Sequence, residues 1–142
     1  MRARIATLAI FVAAAALIIP TAWAGSPHFV GDPTVTRTGD TLTISGKVAG
    51  LGNEDQIDVL VTADVQCVNP GNNEPQAENK GAVIATGTAP VQNGKATFSV
   101  SGTGTTDPQC NPPMTLVYSG VVVTVSGDSF DPDLVFTFTG TF

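Results

Sequence analysis

The side chains able to do chemistry in this chain are few, and their spacing limits what they can do. Beyond residue 24 there is one histidine, His28, and one pair of cysteines, Cys67 and Cys110. A nucleophile needs a base within hydrogen-bonding reach to activate it. One histidine on a Gly/Pro-containing N-terminal segment, expected to be mobile at its start, makes no Ser-His-Asp set. Asp58 and Asp64 could serve as the paired carboxylates of glycoside hydrolysis. On an extended strand their spacing separates them by roughly 20 Å, too far to act together, and a solvated strand face explains them better. Calcium takes six or more oxygen ligands from flexible loops. Asn53-Glu54-Asp55 with Asp58 is one acidic group, and Asp128, Asp131 and Asp133 around Pro132 form the other. The second has three carboxylates close together but lacks the tight glycine-containing loop of an EF-hand. Turn residues that keep an acidic surface soluble account for both. Gly102-Thr103-Gly104 precedes no helix and so cradles no phosphate. The expectation is no catalytic residue, no cofactor and no metal site, with Asp128, Asp131 and Asp133 the calcium candidate to be tested.

The cysteines point to compartment and covalent architecture. The chain opens with Arg2 and Arg4, continues as an apolar run from Ile5 to Ile19, and reaches Ala22-Trp23-Ala24. A basic start, a short apolar core and a small-x-small site describe a secretory signal peptide cut after Ala24. The apolar run is short for a bilayer span, which needs roughly 20 residues, and no cysteine follows the cut to accept a lipid. Residues 25–142 would then be the exported domain, with no integral membrane segment. In it Arg37, Lys47, Lys80 and Lys95 stand against twelve acids, a net charge of −8. Such a surface repels phosphate backbones and anionic lipids, which argues against nucleic acid as a partner. An even pair of cysteines in an exported chain reads as a disulfide. A metal site would need more ligands than two thiols and a distant His28.

The elements that must position these residues are strands. In Gln56–Val68 the odd positions Ile57, Val59, Val61, Ala63, Val65 and Cys67 are apolar and the positions between them mostly polar. A strict period of two buries one face and wets the other, so this is a central strand of an antiparallel sandwich. Before it, two Thr/Val/Leu/Ile-rich runs flank a turn near Gly39, with Leu42, Ile44 and Val48 pointing inward. Residues 69–80 contain two prolines and four asparagines and read as a surface loop. Val83, Ala85, Ala89 and Val91 share a phase, and Asn93-Gly94 is a two-residue hairpin turn. Gly102–Pro113 reads as a second loop. Val121-Val122-Val123 has apolar residues on both parities, which suggests burial on both faces or a covering neighbour. Gly127–Pro132 turns the chain into Leu134, Phe136, Phe138 and Phe142, all on one face. About seven strands at this spacing define an all-β, antiparallel immunoglobulin-like β-sandwich with one disulfide. Antibody-type domains pack their bridge on a buried tryptophan; here the only tryptophan, Trp23, leaves with the signal peptide. The bridge should instead staple one end of the sandwich and clamp the two loops.

Three stretches carry a resemblance: Cys67-Val-Asn-Pro-Gly-Asn-Asn73, Asn93-Gly-Lys-Ala-Thr-Phe98 and Cys110-Asn-Pro112. Over roughly residues 57–125 the chain resembles small exported bacterial single-disulfide β-sandwich proteins of unknown function. The resemblance implies fold and compartment and brings no catalytic or binding residue. Such proteins often have an aromatic after the second cysteine, where this chain has Pro112-Pro113-Met114. The function expected is a secreted or cell-surface, non-enzymatic domain for binding or adhesion. Its partner would be a protein or glycan, met by residues 69–80 and 102–113. The alternative is a structural subunit that assembles by strand addition.

Overall fold

Strand β4 (Gln56–Val68) sits in the middle of the molecule because its alternation leaves no other place for it. Ile57, Val59, Val61, Ala63, Val65 and Cys67 are all buried, while Asp58 and Leu60 face solvent. The computed structural model describes residues 25–71 and 75–142. The expected signal peptide, residues 1–24, lies outside them. Around β4 the chain forms β1 (His28–Phe29), β2 (Thr34–Thr38), β3 (Thr41–Ala49), β5 (Pro75–Pro90), β6 (Lys95–Thr103), β7 (Thr115–Gly127) and β8 (Phe130–Thr137).

These strands make two antiparallel sheets. In one, β3 pairs with β6 on one side and with β1 and β2 in succession on the other. Gly31-Asp32-Pro33 breaks that second partner into two pieces. The other sheet runs β5-β4-β7-β8. The N-terminal segment is therefore docked, not loose: His28 pairs with Ala49 and Phe29 with Val48. These two strand orders are those of an immunoglobulin-like Greek key with β5 beside β4. The sheets face each other over Leu42, Ile44, Val48, Phe98 and Val100 on one side and the inward residues of β4 and β7 on the other.

The Asn93-Gly94 turn forms as the sequence implies, with φ values of 52° and 69° and paired Gln92–Lys95 backbone bonds of 2.7 and 3.1 Å. Its strands then part, β5 to β4 and β6 to β3, so the turn hands the chain from one sheet to the other. Far from the turn, near the other end of β6, the strand again crosses close to β5. A Cβ on Gly102 would lie 1.9 Å from the carbonyl oxygen of Ile84, a contact only glycine permits.

Three expectations change. Residues 75–80 are strand, not loop: β5 pairs Ala77 with Cys67 and Glu78 with Gln66. The stretch is polar because β5 is an edge strand, where prolines and charges prevent further pairing. Val83 is 60% exposed, whereas Ile84 and Ala85 are both buried. A bulge between Val61 and Thr62 shifts the register, so the phase beginning at Ala85 does not extend back to Val83. Val121 and Val123 are buried and Val122 is half-exposed. Gly120, at φ 56°, switches the parity set by Leu116 and Tyr118, so three consecutive valines do not mean burial on both faces.

Candidate functional site

The bridge forms between Cys67 near the end of β4 and Cys110 in the β6–β7 connection, with Cα atoms 5.4 Å apart. It therefore ties a strand to one loop instead of joining two loops. Bridged sulfurs carry no proton, so the approach of the Met114 sulfur to Cys67 Sγ, 3.8 Å, is a packing contact. Met114 thus packs against the bridge from the start of the approach to β7.

The connection Gly104–Met114 lacks regular secondary structure, yet it is held along its length. Asn79 Nδ2 of β5 donates to Thr105 O at 3.1 Å, Thr106 Oγ1 donates to Pro108 O at 2.9 Å, and Met114 N donates to Asn111 O at 3.0 Å. Its first residue is anchored by Tyr118, a position to which the sequence reading gave no role. The Tyr118 hydroxyl accepts from Gly104 N at 2.9 Å and donates to Asp40 O. One fully buried side chain thus pins the β6–β7 connection and the β2–β3 turn to β7. Burial pushes the phenol above its ordinary value of 10.0, while the Gly104 N–H pulls the other way. The tyrosine corner of immunoglobulin-like domains anchors a strand connection by the same device. A lone tyrosine in phase with Leu116 was the available signal. Tyr118→Phe should cost about 2–4 kcal/mol, because two backbone groups lose their partner. Chemical denaturation checks it; a loss below about 1 kcal/mol would mean that water replaces the hydroxyl.

Arg37 braces the same end. Its Nε donates to Gly39 O at 2.6 Å and its Nη2 to Leu116 O at 2.7 Å, with Asp40 Oδ1 at 3.3 Å. The guanidinium also lies 5.7 Å from the centre of the Tyr118 ring. Between turn and loop is a cavity of about 220 Å³ lined by Asp40, Thr103, Gly104, Thr105, Thr106, Gln109, Cys110 and Leu116. Its lining sets the Thr103, Thr105 and Thr106 side chains, the Gln109 amide and the Asp40 carboxylate beside Leu116 and the bridged Cys110, a mixed apolar and polar surface.

Two of the acidic residues, Asp64 and Glu54, are used structurally. Asp64 Oδ1 accepts from Gly81 N at 2.7 Å, fixing the β5 side of a bulge, while Asp58 is exposed on the outer face of β4. At the opposite end of the sandwich Glu54 Oε1 accepts from Ser129 N and Ser129 Oγ, both at 2.5 Å. This links the β3–β4 connection to the β7–β8 turn. Among the described residues no group of three His, Cys, Asp or Glu side chains could hold a metal, so Asp128, Asp131 and Asp133 are not gathered into one. Millimolar calcium should therefore leave the melting temperature unchanged. A rise that Asp131→Asn abolishes would contradict this.

The Ser129 hydroxyl, and then its backbone N–H, hold the Glu54 carboxyl below its ordinary value of 4.5 against an opposing effect of burial. A depressed carboxyl contributes stability that is full above its unfolded value and is lost as pH falls through the folded one. Acidification below about pH 4.5 should therefore lower the melting temperature. Glu54→Gln should flatten that part of the profile, and a variant as acid-sensitive as the parent would remove Glu54 as the cause.

The fold and site together define a disulfide-containing β-sandwich domain. No protein family, curated protein or solved structure matches the chain.

Proposed function

We propose that this is an exported, non-enzymatic binding domain, delivered by a cleavable signal peptide over residues 1–24, whose recognition surface is the disulfide-clamped end. The observation carrying this reading is the Gly104–Met114 connection: irregular, largely exposed, and fixed to β4, β5 and β7 by one covalent and two hydrogen bonds. A loop already held in place loses little entropy on binding, which is how rigid scaffolds present recognition residues. A disulfide also suits an oxidising compartment outside the cytoplasm. The ligand is a protein or a glycan at the cell surface or beyond it.

The test is to present the exported chain to glycan and peptide arrays beside a Thr105→Ala/Gln109→Ala/Asn111→Ala variant that keeps both cysteines. Binding that the variant loses while its melting temperature holds supports the proposal. Binding unaffected by the variant, or none at all, would overturn it.

Assembly by strand addition is the second reading, suggested by the short N-terminal arm and the apolar C-terminal strand. Against it, both chain ends are already engaged: Phe29 pairs with Val48, and Phe142 exchanges two 2.9 Å backbone bonds with Tyr118. Light scattering over a concentration series separates the readings, since a binding domain keeps a constant mass.

A further inference from the structure

The outer face of the β3 sheet carries an array of which only Thr103 borders the clamped-end cavity. Register places Thr34, Ser45 and Ser99 in one row, Thr36, Thr43 and Ser101 in the next, and Thr38, Thr41 and Thr103 in the third. Between β3 and β6 the hydroxyls meet directly, Ser45 with Ser99 at 2.9 Å, Thr43 with Ser101 at 2.7 Å and Thr41 with Thr103 at 2.9 Å. The intervening Leu42, Ile44, Phe98 and Val100 are buried in the core, which fixes the orientation of the array. Neighbouring strands lie about 4.8 Å apart and successive rows about 6.8 Å apart along a strand. Any polar residue would solvate such a face. Here every position of the three rows is serine or threonine.

The array ends at two lysines. Lys47 pairs with Thr97, and Lys95 lies two residues along β6 from it, a diagonal spacing of about 7 Å. Around them is a cavity of about 330 Å³ lined by Lys47, Pro90, Gln92, Lys95 and Thr97, with no acid in its wall. Arg37 is paired with Asp40 and Lys80 with Glu78. Lys47 and Lys95 are the two that have no ion pair among the described residues. Like charges placed so close repel each other, and an anion between them would reverse that cost.

We propose that this face binds a largely neutral glycan carrying isolated carboxylates, its sugars along the hydroxyl rows and one carboxylate between Lys47 and Lys95. Charge complementarity selects this ligand. A densely charged polyanion is repelled by the domain's net charge of −8, and a neutral glycan leaves the lysines unused. The described face offers no Phe, Tyr or Trp ring for stacking, and the row of Lys95 runs through Ala49 to the exposed His28 imidazole, so basic groups carry the selectivity.

The experiment titrates the isotope-labelled exported chain with a hyaluronan hexasaccharide, in which neutral sugars separate the glucuronates. Chitohexaose is the neutral control and polygalacturonate the densely charged one. The amides of Thr43, Thr97, Ser99 and Ser101 should shift, and both controls should bind more weakly. The exposed pair Lys47→Ala/Lys95→Ala should keep the melting temperature and lose about ten-fold in affinity. Equal binding of chitohexaose, a double variant that titrates like the parent, or no shifts on this face would overturn the proposal. Shifts confined to Gly104–Met114 would do so too, while leaving the clamped end as the binding surface.

Discussion

Deletion of residues 134–142 is expected to leave an insoluble or unfolded chain. Phe138 is buried, and Leu134, Phe136 and Phe142 pack half-buried against the core. Three edge-to-face contacts join Phe29, Phe136, Phe138 and Phe142 at centroid distances of 6.1, 5.0 and 6.4 Å. Phe29 belongs to the other sheet, so this series closes the open side of the sandwich between β1 and β8. Burying each large apolar side chain is worth roughly 1.5–3 kcal/mol, and a small domain has only about 5–15 kcal/mol in total. Removing the segment also strips β7 of most of its pairing with β8, leaving β4 as its main neighbour. Circular dichroism and size exclusion read the outcome, and the segment added as a free peptide should restore part of the fold. A truncated chain that stays monomeric and unfolds cooperatively would show that this strand is dispensable.

The second large effect concerns the bridge. Its cysteines are 43 residues apart, and opening a loop of that length costs about 4 kcal/mol on the loop-closure model. Cys67→Ala/Cys110→Ser should lower the denaturant midpoint accordingly. Local protection should fall first at Gly104–Met114, since Cys110 is that segment's covalent tie. An unchanged midpoint would mean that Met114, Asn79 and Tyr118 hold the end without the bridge.

The central strand was readable because its alternation is unbroken over thirteen residues and both its faces have one fate each. The two turns at Gly39 and Asn93-Gly94 were readable because their chemistry is local. Bulges were not. Gly120 and the extra residue near Ile84 shift register through pairing with a distant strand, which composition does not reveal. The polar stretch 75–80 looked like a loop because an edge strand and a loop share proline, asparagine and charge. Tyr118 passed unnoticed as one core residue among many, since its partners Gly104 and Asp40 are brought together only by the fold. Glu54 stood out only as a member of an acidic group; its partner Ser129 lies 75 residues away.

The proposed function requires an exported domain held by one intramolecular disulfide. Intact mass of the protein recovered from outside a producing cell, before and after alkylation without reductant, tests both parts at once. The expected result is a chain beginning at Gly25, two hydrogens short of the fully reduced mass, that takes up no alkylating agent until it is reduced. A chain that retains residues 1–24, or one that alkylates at both Cys67 and Cys110 in its native state, would contradict it.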